Sequence, residues 1–265
     1  MRKAEFQNSP NIKSFIKWIE PLLSTKGAFT HNYYHRDKKE SFTFDNLYSA
    51  YKNYDWKPID KFADDLKKSI DCNDDDMCLK ACLAVLDWGN VSFKGNNNRV
   101  TNMLKPSRCA YFRGVKERLA LNMKSNDYFY TGFHITSGFS KIYSAYVDDF
   151  IIYDSRVAAA FGLFAREYCK NINSSSVPVE LQFAWTAGRD TYNRRNPCDD
   201  NYKFPKLYIG KKYLENNIRA NWLVSLIANE TNSAFNSLDM PFRMRAIEQS
   251  LFEIGYDISS YNHIK

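Results

Sequence analysis

Residues 137–168, SGFSKIYSAYVDDFIIYDSRVAAAFGLFAREY, hold the pattern that decides the fold of this 265-residue chain. Asp154 stands just ahead of an apolar series that recurs at the i, i+4, i+7 and i+11 spacing of one helix face: Val157, Phe161, Phe164 and Tyr168. An aspartate in that position accepts hydrogen bonds from the first backbone N–H groups of a helix, which have no partner within the helix. The pattern predicts a helix that begins directly after Asp154, with Asp154 as its N-cap.

Lys141 precedes Asp154 by a short interval and follows the small residues Ser137, Gly138 and Ser140. Small residues of this kind favour a tight turn, so the sequence predicts a hairpin that leads into Lys141. A carboxylate fixed at a helix start can stabilise a positively charged sugar, and a nearby lysine can act as a nucleophile or bind a phosphate group. Lys141 and Asp154 are therefore the first candidates for a functional site.

The chain carries an excess of positive charge, with 37 Lys and Arg residues against 30 Asp and Glu residues and a net charge of +7. An excess of this size is compatible with an anionic partner and equally with a basic, solvated surface. The cysteines form no CxxC pair, so we expect reduced thiols and no metal site. The N-terminus lacks the apolar run of a signal peptide and no segment approaches a membrane span, which predicts a soluble protein of a reducing cytoplasm.

Apolar residues at helical spacing predict a mainly α protein. The remaining helices are expected at residues 12–19, 59–70, 74–88, 115–123, 214–226 and 244–254. Pro21 is expected to end the first of these, and Asp74 to cap the third. Residues 28–58 have the composition of loops with short elements, residues 94–108 that of an exposed loop with a short helix, and the alternating residues 177–185 predict one strand or an extended connector.

Four stretches of the chain resemble helix-hairpin-helix DNA glycosylases, and among them a prokaryotic group with an 8-oxoguanine-glycosylase-like fold. They are DWGNVSFKGNNN (87–98), ITSGFSK (135–141), IIYDSRVAAAF (151–161) and RMRAIEQSLFEIGYD (243–257). The resemblance implies a helical helix-hairpin-helix fold with few or no strands. It also implies one glycosylase-like domain over residues 1–265, as a single body or as two tightly packed helical lobes with the active site between them. This chain departs from the family in having one glycine, Gly138, in the hairpin and a shorter interval between Lys141 and Asp154.

The resemblance places Asp154 at the catalytic aspartate, and Lys141 where members that also cleave the strand carry a Schiff-base lysine. A capping role alone is the alternative for Asp154, and a phosphate contact or a positioning role is the alternative for Lys141. A base turned out of the duplex stacks in a pocket, and the candidates to line it are Trp88, Phe133, His134, Tyr153 and Trp185. Candidates for contacts to the DNA backbone are Lys94, Asn96, Arg99, Ser137, Gly138, Ser140, Arg156, Arg194 and Arg195. Each of these residues is otherwise expected in the core or on the solvated surface.

We therefore predict a cytoplasmic, prokaryotic DNA N-glycosylase that hydrolyses the bond to a modified base without a metal or cofactor. The resemblance favours glucosylated hydroxymethylcytosine in phage DNA as the substrate, which implies a role in antiviral defence. The expected partner is double-stranded DNA with a flipped base, bound by a monomer without lyase activity and without a membrane. The alternatives are a repair glycosylase for 8-oxoguanine or another damaged base, a non-catalytic DNA-binding module, and a metal-dependent nuclease built on the acidic run DCNDDD at residues 71–76.

Overall fold

The computed structural model describes residues 1–55, 59–103, 107–121, 123–188, 192–240 and 242–263. In these ranges the chain forms eleven α-helices and three short strands, so the mainly α prediction is confirmed. The helices are α1 (Lys3–Asn8), α2 (Pro10–Ser24), α3 (Leu47–Asn53), α4 (Asp60–Asp71), α5 (Asp75–Trp88), α6 (Lys94–Asn98), α7 (Arg108–Ala120), α8 (Ser137–Tyr146), α9 (Ser155–Asn171), α10 (Lys211–Glu230) and α11 (Phe242–Ile254). The strands are β1 (Phe29–His35), β2 (Glu40–Phe44) and β3 (Tyr261–His263). Among the described residues, no helix combines the length and the apolar character that a membrane crossing requires.

Helix α9 lies in the core and begins where the sequence predicts. Asp154 is its N-cap, and Oδ1 of the carboxylate accepts hydrogen bonds from the backbone N–H groups of Arg156 at 2.9 Å and Val157 at 3.2 Å. Residues 157–165 are all buried, because α9 packs against α2, α11 and a 3-10 turn at Val179–Leu181. A helix that is covered on every side needs apolar and small residues all round, which explains the alanine run at 158–160.

Residues 137–141 form the first turns of helix α8, so the predicted hairpin at this place is wrong. Thr136 caps the helix: its side-chain oxygen accepts a hydrogen bond from the backbone N–H of Phe139 at 3.2 Å. Gly138 allows a neighbouring segment to approach closely, since a Cβ atom there would lie 2.3 Å from the side-chain nitrogen of Asn96. The small residues at 137–140 therefore serve helix packing and do not form a turn.

The helix ends test two further predictions. Asp74 caps α5 as expected, because its Oδ1 accepts hydrogen bonds from the backbone N–H groups of Asp76 at 3.1 Å and Met77 at 2.8 Å. Pro21 does not end α2, which continues to Ser24. A proline inside a helix removes one backbone hydrogen bond, and the burial of the two leucines that follow it offsets this loss.

Residues 94–108, of which 104–106 lie outside the described ranges, and residues 177–185 match their predicted structures only in part. The first segment forms α6 and then a π-helical turn at Arg99–Met103, and Asn96 within it is fully buried. The second contains the turn at Val179–Leu181 and one isolated bridge between Trp185 and Lys206 in place of a strand. Side chains of α10 bind the backbone of the second segment at residues 182 and 184, which takes the place of strand pairing.

The three strands form one antiparallel sheet in the order β2-β1-β3. Strands β1 and β2 lie within residues 28–58, for which the sequence predicts loops with short elements. Phe29 of β1 contacts Phe164 of α9 at 6.2 Å between ring centres, so the sheet covers one side of the central helix. A tight turn at residues 36–39 joins β1 to β2.

The extended segment 151–154 connects α8 to α9, and no strand pairs with it in the described part of the chain. Side chains of two helices bind its backbone at 2.7 to 3.0 Å instead: Asn217 and Asn221 of α10 bind Ile151, and Ser140 of α8 binds the N–H of Tyr153. Because buried backbone groups need hydrogen-bond partners, these contacts fix the path by which the chain enters Asp154.

The buried histidine of β1 makes the stability of the fold depend on pH. His31 is fully buried and stacks on Phe44, and burial lowers its pKa from 6.5 to about 4. Between these two pH values the unfolded chain binds a proton at His31 and the folded protein does not. The free energy of unfolding therefore decreases as the pH falls from 6.5 to about 4.

We expect the contribution of His31 to this decrease to be about 3 kcal/mol. The variant His31→Phe keeps an aromatic ring at the site and lacks the titrating group, so its stability should fall less over the same pH interval. Urea unfolding of both proteins at each end of the interval measures the difference. Equal pH dependence in wild type and variant would contradict the assignment.

Candidate active site

A cavity of about 610 Å³ opens beside the N-terminus of α9. Residues 88–99, the start of α8, residues 152–156 and the middle of α11 form most of its wall. The turn between β1 and β2 contributes Asp37, and the segments around 186 and 207–209, together with Tyr54, Arg195 and Tyr213, complete the wall. Parts of the sequence that are far apart thus meet at one concave surface, of a size that proteins use to bind small ligands.

Lys141 and Asp154 form an ion pair in the wall of this cavity. Nζ of Lys141 lies 3.3 Å from Oδ2 of Asp154, and the two side chains are only 7% and 13% exposed. The two carboxylate oxygens have separate partners, since Oδ1 caps α9 and Oδ2 contacts Lys141. The carboxylate is therefore held in one orientation by charge-assisted hydrogen bonds on both oxygens.

Gly89 leaves the space in which the side chain of Lys141 lies. It follows the last residue of α5, and a Cβ atom there would lie 2.3 Å from Cδ and 2.8 Å from Cε of Lys141. Atoms in a packed interior do not approach so closely. The sequence identifies Gly89 as a helix end, and the fold adds that glycine lets the lysine cross this helix end toward Asp154.

Positive charges keep Asp154 ionised. Burial alone would raise the pKa of this carboxyl group, but Lys141, the backbone N–H of Val157, Arg156 and Arg195 together hold the pKa below its ordinary value. Asp154 is therefore a carboxylate at neutral pH. Its charge acts strongly on anything in the cavity, because the surrounding protein screens it less than water would.

Glu248 is a second acidic residue of the wall, and the sequence analysis does not identify it. It is 5% exposed, and its Oε2 accepts a hydrogen bond from Nη1 of Arg245 at 2.5 Å. Arg245 also donates to the hydroxyl of Ser144 in α8 at 2.6 Å. Burial raises the pKa of Glu248, and Arg245 and the backbone N–H of Ile152 oppose that rise. The sequence does contain a feature that could have identified Glu248. It is a charged residue among the buried positions of α11, and it follows Arg245 by three positions.

Among the predicted base-pocket residues, only Trp88 lines the cavity in the described part of the chain. Phe133 packs on Tyr143 with 5.5 Å between ring centres. Tyr153 is fully buried, and its hydroxyl donates to the carbonyl oxygen of Ala184 at 2.6 Å. His134 and Trp185 also lie outside the wall, next to Phe139 and beneath the ammonium group of Lys206 respectively. These four aromatic side chains contribute to packing.

Other aromatic residues line the cavity in their place. They are Tyr54, Phe93, Tyr213 and Phe252. The sequence does not show which aromatic residues line a cavity and which lie in the core. Both kinds recur with the same helical periodicity. The guanidinium group of Arg156 lies over the ring of Phe252 at 4.2 Å, which places a cation directly beside an aromatic wall.

The predicted DNA contacts separate into three groups. Those that line the cavity are Asn96, Arg99, Ser137, Arg156 and Arg195. Those that are exposed outside the cavity wall are Lys94 and Arg194. Gly138 and Ser140 are buried within α8 outside the cavity wall, and the hydroxyl of Ser140 donates to Oδ1 of Asn217 at 3.1 Å.

Asn96 and Arg195 have structural partners as well as a place in the cavity wall. Asn96 donates to the carbonyl oxygen of Val91 at 3.0 Å and accepts from the hydroxyl of Thr136 at 3.1 Å. Arg195 is 7% exposed and donates to the hydroxyl of Ser155 at 2.8 Å. These two residues therefore hold the wall in shape, whereas Arg99 and Arg156 are partly exposed cations that line the cavity.

The acidic run at residues 71–76 supports neighbouring helices. Besides the cap formed by Asp74, the carboxylate of Asp75 accepts hydrogen bonds at 3.0 Å from the backbone N–H groups of Arg108 and Cys109 at the start of α7. Within the described ranges, no group of three or more His, Cys, Asp and Glu side chains is arranged to hold a metal ion.

We expect Gly89→Ala to disturb the ion pair without unfolding the protein. The added methyl group displaces the side chain of Lys141 from Asp154, so the pKa of Asp154 should rise and the free energy of unfolding should fall by about 1 to 3 kcal/mol. A carbon-13 NMR titration of the aspartate carboxyl groups measures the first effect, and urea unfolding measures the second.

Gly114→Ala in α7 is the matched control, because a Cβ atom at Gly114 meets nothing within 4 Å. Alanine at an open helical position is neutral or stabilising, so this variant should keep the Asp154 titration of the wild type. An unchanged titration in Gly89→Ala as well would contradict the role assigned to Gly89.

Comparison with known proteins gives no match to this chain: no family model, no curated protein and no solved structure is similar to it. What the site does is therefore inferred from its own geometry. The features that carry chemistry are the ion pair of Lys141 and Asp154, the neighbouring Glu248, and the aromatic and cationic residues around them.

Proposed function

We propose that this protein is a DNA N-glycosylase that removes a modified base by hydrolysis. The observation that carries the proposal is the placement of Asp154, an ionised carboxylate fixed at a helix start, in the wall of a cavity of about 610 Å³. Around the cavity lie Arg99 and Arg156, which suit a polyanionic substrate. The resemblance of residues 151–161, in which Asp154 opens a helix, to helix-hairpin-helix glycosylases supports the same activity.

The chemistry assigned to Asp154 is stabilisation of a sugar cation. When the C1′–N bond breaks, its electrons leave with the base and positive charge develops on the deoxyribose, as in other glycoside cleavages. A carboxylate fixed close to C1′ stabilises that charge without having to move. Water then adds to C1′ and releases a proton to solvent, while the departing base takes up a proton.

Lys141 is assigned a positioning role. Its ammonium group is buried against Oδ2 of Asp154, and an ammonium group has no electron pair with which to attack C1′. Contact with a DNA phosphate is disfavoured because the side chain is only 7% exposed. Lys141 therefore orients the carboxylate, and the proposed enzyme is a hydrolase without lyase activity.

The size of the cavity favours a bulky modified base. The volume of about 610 Å³ lies within the range of pockets that enclose a whole small molecule. A cytosine leaves much of that space unfilled, and a cytosine that carries a hexose also fits within it. Polar side chains that line the cavity and suit sugar hydroxyl groups are Asp37, Asn90 and Gln249. Glucosylated hydroxymethylcytosine in phage DNA is the proposed substrate, and antiviral defence the proposed role.

The variant Asp154→Asn tests the mechanism. Asparagine caps a helix as well as aspartate does, so the fold should persist, while the loss of the negative charge should slow base release by about 10²- to 10⁴-fold. The assay is mass spectrometry of the free bases released from glucosylated phage DNA, unmodified DNA and a duplex with 8-oxoguanine, together with detection of abasic sites.

Asp74→Asn is the matched control, because Asp74 caps α5 in the same way and lies outside the cavity. Full activity in Asp154→Asn would overturn the mechanism. If the wild type releases no base from any of these DNAs and yet binds them in a salt-sensitive manner, a non-catalytic DNA-binding module is the better description.

The variant Lys141→Gln tests the assignment of the lysine. We expect base release to fall about tenfold, which corresponds to about 1.4 kcal/mol of transition-state stabilisation, and we expect sodium borohydride to trap no covalent complex between wild-type protein and DNA. Lys67→Gln, at an exposed ion pair with Asp148, serves as the control. A borohydride-trapped complex that disappears in Lys141→Gln would instead make Lys141 the nucleophile.

A further inference from the structure

Two buried carboxyl groups, those of Asp154 and Glu248, line the cavity, and their surroundings make them chemically different. Burial raises the pKa of both groups, but the cations around Asp154 reverse this effect, so that its pKa lies below the ordinary value while that of Glu248 lies above it. Enzymes that use two carboxyl groups in one site for different purposes separate their pKa values in this way. The electrostatic role proposed for Asp154 leaves Glu248 without a role of its own.

Water that adds to C1′ has to lose a proton, and Asp154 is poorly suited to accept it. Both oxygen atoms of Asp154 are already engaged, since Oδ1 accepts hydrogen bonds from two backbone N–H groups at the start of α9 and Oδ2 contacts Lys141. A carboxylate with a lowered pKa also accepts a proton less readily. The second carboxylate of the wall is therefore the better candidate for this step.

The side chain of Glu248 is held in place from two directions. Its Oε2 accepts a hydrogen bond from Nη1 of Arg245 at 2.5 Å, and Arg245 itself donates to the hydroxyl of Ser144 at 2.6 Å and to the carbonyl oxygen of Ser144 at 2.9 Å. The carboxylate of Glu248 also accepts a hydrogen bond from the backbone N–H of Ile152. Because Ile152 lies two positions before Asp154, both carboxylates adjoin the same segment of the cavity wall.

Glu248 is ionised at neutral pH, as a base has to be. Burial and the charge of Asp154 disfavour the carboxylate, while Arg245 and Lys141 favour it. Tyr54 also faces this group and is neutral, since burial raises its pKa. With the guanidinium group of Arg245 in direct contact, Glu248 remains a carboxylate at neutral pH, and its raised pKa makes it a stronger base than an exposed glutamate.

We propose that Glu248 is the general base of the hydrolysis and accepts a proton from the water molecule that adds to C1′. The proposal rests on the proposed glycosylase function and assigns a second catalytic residue to the same site. A bond forms between the water oxygen and C1′, one O–H bond of that water breaks with its electron pair remaining on oxygen, and the proton passes to the carboxylate. Glu248 returns the proton to solvent after the product leaves, and Asp154 stays ionised throughout.

The test is the pH dependence of base release from glucosylated phage DNA by wild type and Glu248→Gln, in single turnovers from about pH 4 to about pH 8. The base has to be ionised, so the wild-type rate should fall about tenfold per pH unit below the pKa of Glu248. Glutamine keeps an oxygen atom for the N–H of Ile152 but takes up no proton. The variant should be about a hundredfold slower at neutral pH. Its rate should stay level where the wild type loses activity, because Asp154 remains ionised there.

Glu253→Gln is the matched control. Glu253 lies on the same helix, is 6% exposed, and has a pKa that burial raises. Its carboxylate accepts a hydrogen bond from the hydroxyl of Tyr33 at 2.7 Å, and it is not among the described residues that line the cavity. This variant should keep the rate and the pH profile of the wild type. Circular dichroism at each pH verifies that all three proteins are folded, since the buried His31 weakens the fold in the same interval.

A carbon-13 NMR titration of the glutamate carboxyl groups gives the pKa of Glu248 directly. The resonance that is missing in Glu248→Gln identifies the group. We expect this pKa to coincide with the pH at which wild-type base release falls to half of its maximum. A difference of more than about one pH unit between the two values would count against the proposal.

The outcomes separate this proposal from the proposed function. Base release with the same pH profile in wild type and Glu248→Gln, however slow the variant, makes Glu248 a structural residue and leaves the glycosylase intact. Wild-type activity that falls as the pH rises through the pKa of Glu248 makes this residue a proton donor to the departing base, and the assignment as a base is then wrong. Absence of base release by the wild type from every DNA overturns the proposed function and the role of Glu248 together.

Discussion

The path of residues 151–154 is the constraint on which the site depends. This segment is buried, and side chains of α8 and α10 supply the hydrogen bonds that a sheet would otherwise provide. The hydroxyl of Tyr213 adds one more by donating to the carbonyl oxygen of Tyr153. A buried backbone group without a partner costs about 1 to 3 kcal/mol, so the chain has one favourable route from α8 to α9. That route places Asp154 both at the start of α9 and within reach of Lys141.

The charges in the cavity wall are explained better by function than by stability. Lys141 pairs with Asp154, and Arg245 pairs with Glu248, with all four groups largely withdrawn from water. Buried ion pairs are weak contributors to stability, because the cost of removing two charges from water nearly cancels their attraction. Apolar residues of similar shape would support the fold as well. Groups whose pKa values are shifted by burial and by neighbouring charges are typical of sites that bind or transform a ligand.

The sequence predicts those features of the site that depend on local interactions. The cap formed by Asp154 and the helix after it follow from neighbouring residues, and Lys141 is identified because it lies close by in the chain. Gly89 and Glu248 escape prediction, since their roles arise from contacts between helices that are distant in sequence. Phe133 and Tyr153 show the opposite failure: an aromatic residue near a site has the same local signature whether it faces a cavity or the core. The helical start of α8 is missed because small residues that pack closely against Asn96 resemble those of a turn.

Capping and catalysis are compatible roles for Asp154, because they use different oxygen atoms. Oδ1 accepts hydrogen bonds from two backbone N–H groups, Oδ2 contacts Lys141, and the residue as a whole lines the cavity. These same partners lower the pKa of the carboxyl group, and a carboxylate with a lowered pKa is a weak general base. Its charge remains complete and its position fixed. For the proposed glycosylase, this geometry favours a mechanism in which Asp154 stabilises the sugar cation by electrostatic attraction, and in which water attacks only after the bond to the base has largely broken.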